Sequence, residues 1–190
     1  MPNKVELLNL KGKFLIAMPG LLDPRFASAV IYMCDHSDRG AMGLIVNKPF
    51  SKGSFNELCS QLSIKSATGR EVPVLFGGPV ETSRGFVLHS SDFESKNSTQ
   101  RVGKQLYLSS TRDIIEALAA GGAPINAGLF MGYSGWGAGQ IEDEIRSNGW
   151  LICDADEDLV LDTDNDRKWQ AALDILGINA LLLSSDAGRA

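Results

Sequence analysis

The stretch GLFMGYSGWGAGQIEDEIRSNGW, residues 128–150, decides how this chain is read. It carries glycine at 128, 132, 135, 137, 139 and 149, with an apolar run before and a helical pattern after. Glycine supplies left-handed and other strained backbone angles at an entropic cost, so the run reads as a strand-to-helix turn. On that reading INAGLFMGY (125–133) is a buried strand and the glycines set Tyr133 and Trp136 over its end. Ile141 and Ile145 then anchor a helix, with Glu142 and Arg146 as an exposed i,i+4 pair.

Two chemistries that use such loops fit poorly. A phosphate cradle needs a P-loop or dinucleotide-binding glycine pattern and usually a basic residue. GYSGWGAGQ matches neither pattern, and Glu142, Asp143 and Glu144 open the helix where a phosphate would sit. A nucleophile elbow needs G-x-S-x-G, and Trp136 stands in the second glycine's place after Ser134.

Outward from this stretch the chain alternates short apolar runs with polar turns. FLIAM (14–18) is a strand closed by Pro19-Gly20, and AVIYMC (29–34) and AMGLIVN (41–47) form a hairpin across DHSDRG. Ser54 and Glu57 are a capping box for a short helix. VPVLFGGPV (72–80) and RGFVLHS (84–90) read as a second strand pair, and polar 91–105 as a mobile loop or long hairpin connection. LYLSS leads into a helix capped by Ser110 or Thr111, with Ile114, Ile115 and Leu118 on one face and Gly121 at its end. WLIC (150–153) is another strand, and NDRKWQAALDILG a last helix with Trp169, Leu173 and Leu176 at helical spacing. Residues 184–190 read as a frayed tail.

Strand pairs come first and helices are interleaved later, without strict alternation or repeats. The fold class predicted is therefore α+β: one compact domain over 1–190, with a mixed, mainly antiparallel sheet and helices packed around it. At 190 residues and 44% hydrophobic composition, one core is large enough to support it. A net charge of −5 repels polyanions and disfavours direct nucleic-acid binding. The three cysteines form no paired pattern, which suits a reducing compartment. No apolar run is long enough to span a bilayer, so no membrane partner is expected and the location expected is cytoplasmic.

CDHSD (34–38) suggests a metal, but zinc needs a second ligand group, and His89 is the evident one, giving Cys34, His36 and His89. A polar hairpin turn is the simpler reading. DADEDLVLDTDND (154–166) holds seven acids in thirteen residues, yet the EF-hand glycine falls on Leu159 or Arg167 and its glutamate on Asn165 or Leu173. These acids read instead as caps of short helices.

Residues 18–49, FGGPVETSRGFVLHS (76–90) and GLFMGYSGWGAGQIEDEI (128–145) together resemble the signature blocks of the AlgH/YqgE family of bacterial cytoplasmic proteins. The resemblance covers nearly the whole chain and implies one compact α+β domain. Its pattern accepts alanine in place of Ser134, which counts against a serine nucleophile. Some family members are labelled regulators of alginate synthesis at the level of transcription. Since this sequence shows no helix-turn-helix with a basic recognition helix, such a role would be indirect.

The function expected is a non-enzymatic cytoplasmic regulator or binding module, acting through a protein or small-molecule partner and using no cofactor. Its ligand cleft is expected to gather His36, Asn47, Arg84, His89, Tyr133, Trp136 and Gln140. The alternative is a small hydrolase using Ser134 with a histidine base, or a metal held by Cys34, His36 and His89.

Overall fold

The computed structural model describes residues 8–67, 70–95 and 98–183; the expected tail 184–190 lies outside them. Among the described residues, nine strands form one curled sheet: β1 (Lys13–Ala17), β2 (Val30–Ser37), β3 (Gly40–Ile45), β4 (Val74–Phe76), β5 (Val80–His89), β6 (Gln100–Arg101), β7 (Tyr107–Ser109), β8 (Ala127–Gly137) and β9 (Trp150–Asp154). Five α-helices among the described residues accompany it: α1 (Phe55–Gln61), α2 (Arg112–Ala119), α3 (Gln140–Arg146), α4 (Asp158–Asp162) and α5 (Asn165–Ile175). Strand order is β6-β7-β5-β8-β3-β2-β1-β9, and β4 lies parallel along β8. The expected mixed, mainly antiparallel α+β architecture is therefore what the chain adopts.

The two faces of the sheet are covered differently. One face carries a continuous core from Phe14, Ile16 and Tyr32 to Phe86 and Phe130, closed by Val160 of α4 and Leu173 of α5. The other face carries two separate cores. Leu15, Ile31 and Ile45 pack with Trp136, Trp150 and Ile141 of α3. Val87, Leu129 and Met131 pack with Phe55 of α1 and with Ile114 and Leu118 of α2. Lys168 of α5 is buried, and its ammonium donates to the carbonyls of Val46 and Val160 and to Asn165 Oδ1. Burial lowers its pKa to about 8.

Several local expectations are corrected. The glycines after Met131 do not make a loop: β8 runs on through Gly137, and the turn into α3 is only the few residues around Gly139. The pairing predicted between 72–80 and 84–90 does not form, because β8 enters between them, parallel to β4 and antiparallel to β5. DHSDRG is mostly strand, with Ser37 paired to Gly40 across a two-residue turn. The segment 91–105 does join the antiparallel pair β5 and β7, as a long hairpin connection would, and within it Gln100–Arg101 adds its own pairing with β7.

The helix ends show the same mixture. Ser54 and Glu57 form the complete capping box on α1. Thr111 occupies the N-cap position of α2 but makes no backbone cap bond; its hydroxyl donates to Asp113. Arg146 pairs with Asp143 at 2.9 Å rather than with Glu142. Short helices do occupy 154–166, but neither N-cap residue, Glu157 or Asp164, caps through its side chain. Glu157 reaches across the molecule instead, accepting from the backbone N–H groups of Lys104, Gln105 and Leu106.

Candidate functional site

Three irregularities in the strands place the site. In β2 the register slips between Met33 and Asp35, so Cys34 is an extra residue and the alternation of faces inverts beyond it. Cys34 stays in the continuous core, whereas His36 turns to the face covered by α3. In β8, Gly132 has a φ of +72°, open to glycine at little cost. Before it, Leu129 and Met131 face the α1–α2 side; after it, Tyr133 faces the opposite side with Phe86. In β5, the pairing with β8 jumps from Val80 to Gly85, and Glu81 bulges out with a φ of +46°.

Where β5 bulges away from β8, an open groove of about 760 Å³ forms. Arg84 and Phe86 of β5, Tyr133 and Trp136 of β8, and Asp35 and Arg39 of the β2–β3 hairpin all border it. Arg84 lies 4.9 Å from the centre of the Phe86 ring and pairs with Glu81 at 3.3 Å. Phe86 and Tyr133 meet edge to face at 5.7 Å. Among the described residues, the Asp35 carboxylate, the Arg39 guanidinium and the Tyr133 hydroxyl engage no side chain or backbone group. The groove thus offers one unpaired charge of each sign beside an aromatic wall.

Of the seven residues expected in one cleft, Arg84, Tyr133 and Trp136 share this groove, and the other four do not. His36 is nearly buried behind the sheet: its Nδ1 accepts from the Leu10 N–H, so Nε2–H donates to Glu142 at 2.8 Å. Burial alone would raise the Glu142 carboxyl, but hydrogen bonds from its helix backbone and His36 hold it below the ordinary range. Gln140 closes the turn, accepting from the Gly137 N–H and donating to Glu144. Asn47 bridges the start of β2, accepting from the Val30 N–H and donating to the Ser28 carbonyl at 2.8 Å each.

His89 is fully buried at the other end of β8. It sits opposite Ala127, whereas His36 is level with Trp136 through Ala41. Nine residues of strand, up to about 30 Å, separate the two histidines. The single cleft is corrected on that ground: a strand long enough to span the sheet carries its two ends to different places. The metal trio Cys34, His36 and His89 fails for the same reason. Among the described residues no group of three or more His, Cys, Asp or Glu stands close enough to hold a metal.

Ser134 is not poised as a nucleophile. It is fully buried and its hydroxyl donates to the Gly77 carbonyl at 3.3 Å, with neither histidine bonded to it. The serine that does meet a histidine is Ser109, which sequence reasoning did not single out. His89 Nδ1–H donates to the Ser90 carbonyl at 2.8 Å, leaving Nε2 to accept from the Ser109 hydroxyl at 2.9 Å. Ser109 in turn accepts from Thr99, whose oxygen accepts from the Ser95 N–H. Burial pushes the His89 pKa down, against the smaller effects of Ser90 and Asp92. Ser109 is itself 1% exposed, so this chain fastens the segment after β5 to the sheet.

Other residues missed by sequence reasoning are Asp35 and Arg39. They were visible only as turn residues, and the β2 bulge is what faces Asp35 into the groove. Glu144 was also unforeseen: one carboxylate oxygen accepts from the indole N–H groups of Trp136 at 3.0 Å and Trp150 at 2.8 Å. That bond fixes Trp136 in the core on the α3 side, edge to face with Trp150 at 6.2 Å.

Comparison with known proteins places this geometry. The profile of the AlgH-like family matches residues 14–181. A UPF0301 protein of Ruegeria pomeroyi is 51% identical over 185 residues, covering 96% of this chain and 100% of its own. A UPF0301 protein of Paracoccus denitrificans is 49% identical, with coverage of 96% and 97%. The solution structure of the AlgH protein from Pseudomonas aeruginosa superposes with a TM-score of 0.79 at 41% identity, covering 97% of each chain.

Proposed function

This chain belongs to the AlgH-like family, and from that premise we propose that it is a non-enzymatic regulatory binding protein of the cytoplasm whose ligand is a small zwitterion carrying an aromatic ring. The observation that carries this is the groove beside β5. It holds an unpaired Asp35 and an unpaired Arg39 in the same opening as Arg84, Phe86 and Tyr133. A ligand ammonium pairs with Asp35, a ligand carboxylate with Arg39 and Arg84, and the ring lies against the aromatic wall. The groove is well within the size of small-molecule sites. Three buried free thiols accord with a reducing compartment. The net charge of −5 supports action on transcription through a partner rather than on DNA directly.

Titration with phenylalanine, followed by amide NMR, tests the reading. Phenethylamine and phenylpropionate each lack one of the two charges and serve as comparators. Phenylalanine is expected to shift Arg39, Tyr133 and Gly135 and to bind better than either comparator. Asp35→Ala and Arg39→Ala should each weaken it about fivefold, as for exposed charge pairs. Equal binding of all three probes, or shifts confined to other regions, refutes the zwitterion reading.

A further inference from the structure

The opposite face of the same strands carries a second groove, of about 600 Å³. Strand alternation separates the two: Arg84 and Phe86 face the first groove, while Gly85 and Val87 face the second. Phe50, Leu58 and Ile115 from the helical side, with Val87, Leu129 and Met131 from the sheet, make its walls largely hydrocarbon. Its polar border differs from that of the first groove. Lys52 and Arg112 border it, and no carboxylate does. Arg112 is held by Glu116 at 2.7 Å and by the Leu62 carbonyl. Lys52 is exposed and has no partner among the described residues.

We propose that this second groove is a binding site for an unbranched alkyl carboxylate, a free medium-chain fatty acid. The hydrocarbon walls take the chain, Lys52 pairs with the carboxylate, and the hydroxyls of Thr82 and Ser83 at the border supply donors for its oxygens. Charge complementarity selects the occupant, since a cationic border without a carboxylate favours an anionic head over a neutral or zwitterionic one. A groove of this volume matches a small-molecule site. The two grooves lie on opposite faces of β5 and share only Ser110 at their borders, so phenylalanine is expected not to displace the fatty acid.

Calorimetric titration with octanoate, decanoate and dodecanoate, alongside 1-octanol, tests the site. Burying one methylene tightens binding about fourfold, so each two-carbon step is expected to tighten it about fifteenfold. Lys52→Ala should weaken the carboxylates about threefold and leave 1-octanol unchanged. Ile115→Trp, a substitution at a half-buried groove residue, should abolish binding of all four probes while a thermal melt shows the fold intact. Lys52→Glu is a surface change and should weaken the carboxylates further even if Ile115→Trp fails to fold. Amide shifts should concentrate at Val87, Ile115 and Leu129 and spare Tyr133. No binding up to dodecanoate, affinity independent of chain length, or shifts away from the α1–α2 face overturns the proposal. None of these results bears on phenylalanine binding, so failure here is distinct from failure of the zwitterion reading.

Discussion

The two halves of β8 are built on opposite principles. Its first half, Ala127–Met131, is flanked by β5 on one edge and β4 on the other, and its side chains pack into core on both faces. Its second half, Tyr133–Gly137, is paired with β3 along one edge and touches β5 only at Val80. The first half is a structural member, and the second borders an open groove. Gly132, between them, inverts which side chains face which way. One strand thus serves two ends, because a single glycine resets the alternation partway along it.

The harshest test of the first half is Phe130→Ala. Phe130 is fully buried and packs at the centre of the continuous core. Truncating a buried phenylalanine costs about 4 kcal/mol, read as a lowered urea midpoint with an unchanged slope. A cost under about 1 kcal/mol would show that the first half is not the packed member described.

Gly132→Ala attacks the junction. An added Cβ would stand 2.4 Å from the Gly78 carbonyl oxygen and 2.9 Å from that of Val80. Both are backbone atoms that cannot swing away, so strain and clash together should cost about 3 kcal/mol. Gly139→Ala is the control: its φ is +75°, but nothing lies within 4 Å of the added atom. Only the left-handed penalty of about 1 kcal/mol should remain there. Equal costs at the two glycines would mean that close approach at the bulge has no importance.

The first half was legible in the sequence for a physical reason. A strand buried on both faces must be apolar throughout, and GLFM shows it. The second half was not legible, because bulging and close approach call for glycine, and glycine in single-sequence reading means turn. Gly77 and Gly78 pass against Gly132 and Tyr133 at backbone distance, so glycines 54 residues apart answer one another. No local pattern can disclose such a contact. The capping box on α1 was legible because it is wholly local, as was the stop of the last helix near Gly177. The site was only partly legible. Arg84, Tyr133 and Trp136 border one groove, but Asp35 and Arg39 depend on the bulge in β2, which alternation alone argues against.

The histidines at the two ends of β8 offer a gentler comparison. Because burial lowers the folded pKa of His89 below its ordinary 6.5, the unfolded chain takes up that proton first as pH falls. Its contribution to stability is therefore intact above about pH 6.5 and is lost below it, with a slope of at most about 1.4 kcal/mol per pH unit. Denaturation between pH 7.5 and 5.5 should show this decline, and His89→Gln should flatten it at the expense of some stability throughout. His36→Gln, at the other end, loses its bonds to the Leu10 N–H and to Glu142 and should cost about 1 kcal/mol in the same denaturation experiment. A decline that persists unchanged in His89→Gln would overturn this account of the buried end.

The smallest effect is expected at Ser134, the residue that the glycine pattern makes most tempting. Its hydroxyl bond to the Gly77 carbonyl is long at 3.3 Å, and the same carbonyl already accepts from the Ile45 N–H at 2.8 Å. Ser134→Ala therefore leaves no buried acceptor without a partner and should cost under about 1 kcal/mol. Because the side chain points away from the groove into packed backbone, phenylalanine binding should be unchanged as well. A variant of normal stability that lost binding, or lost an ester hydrolysis seen in the parent, would turn the second half of β8 from the wall of a site into its chemistry.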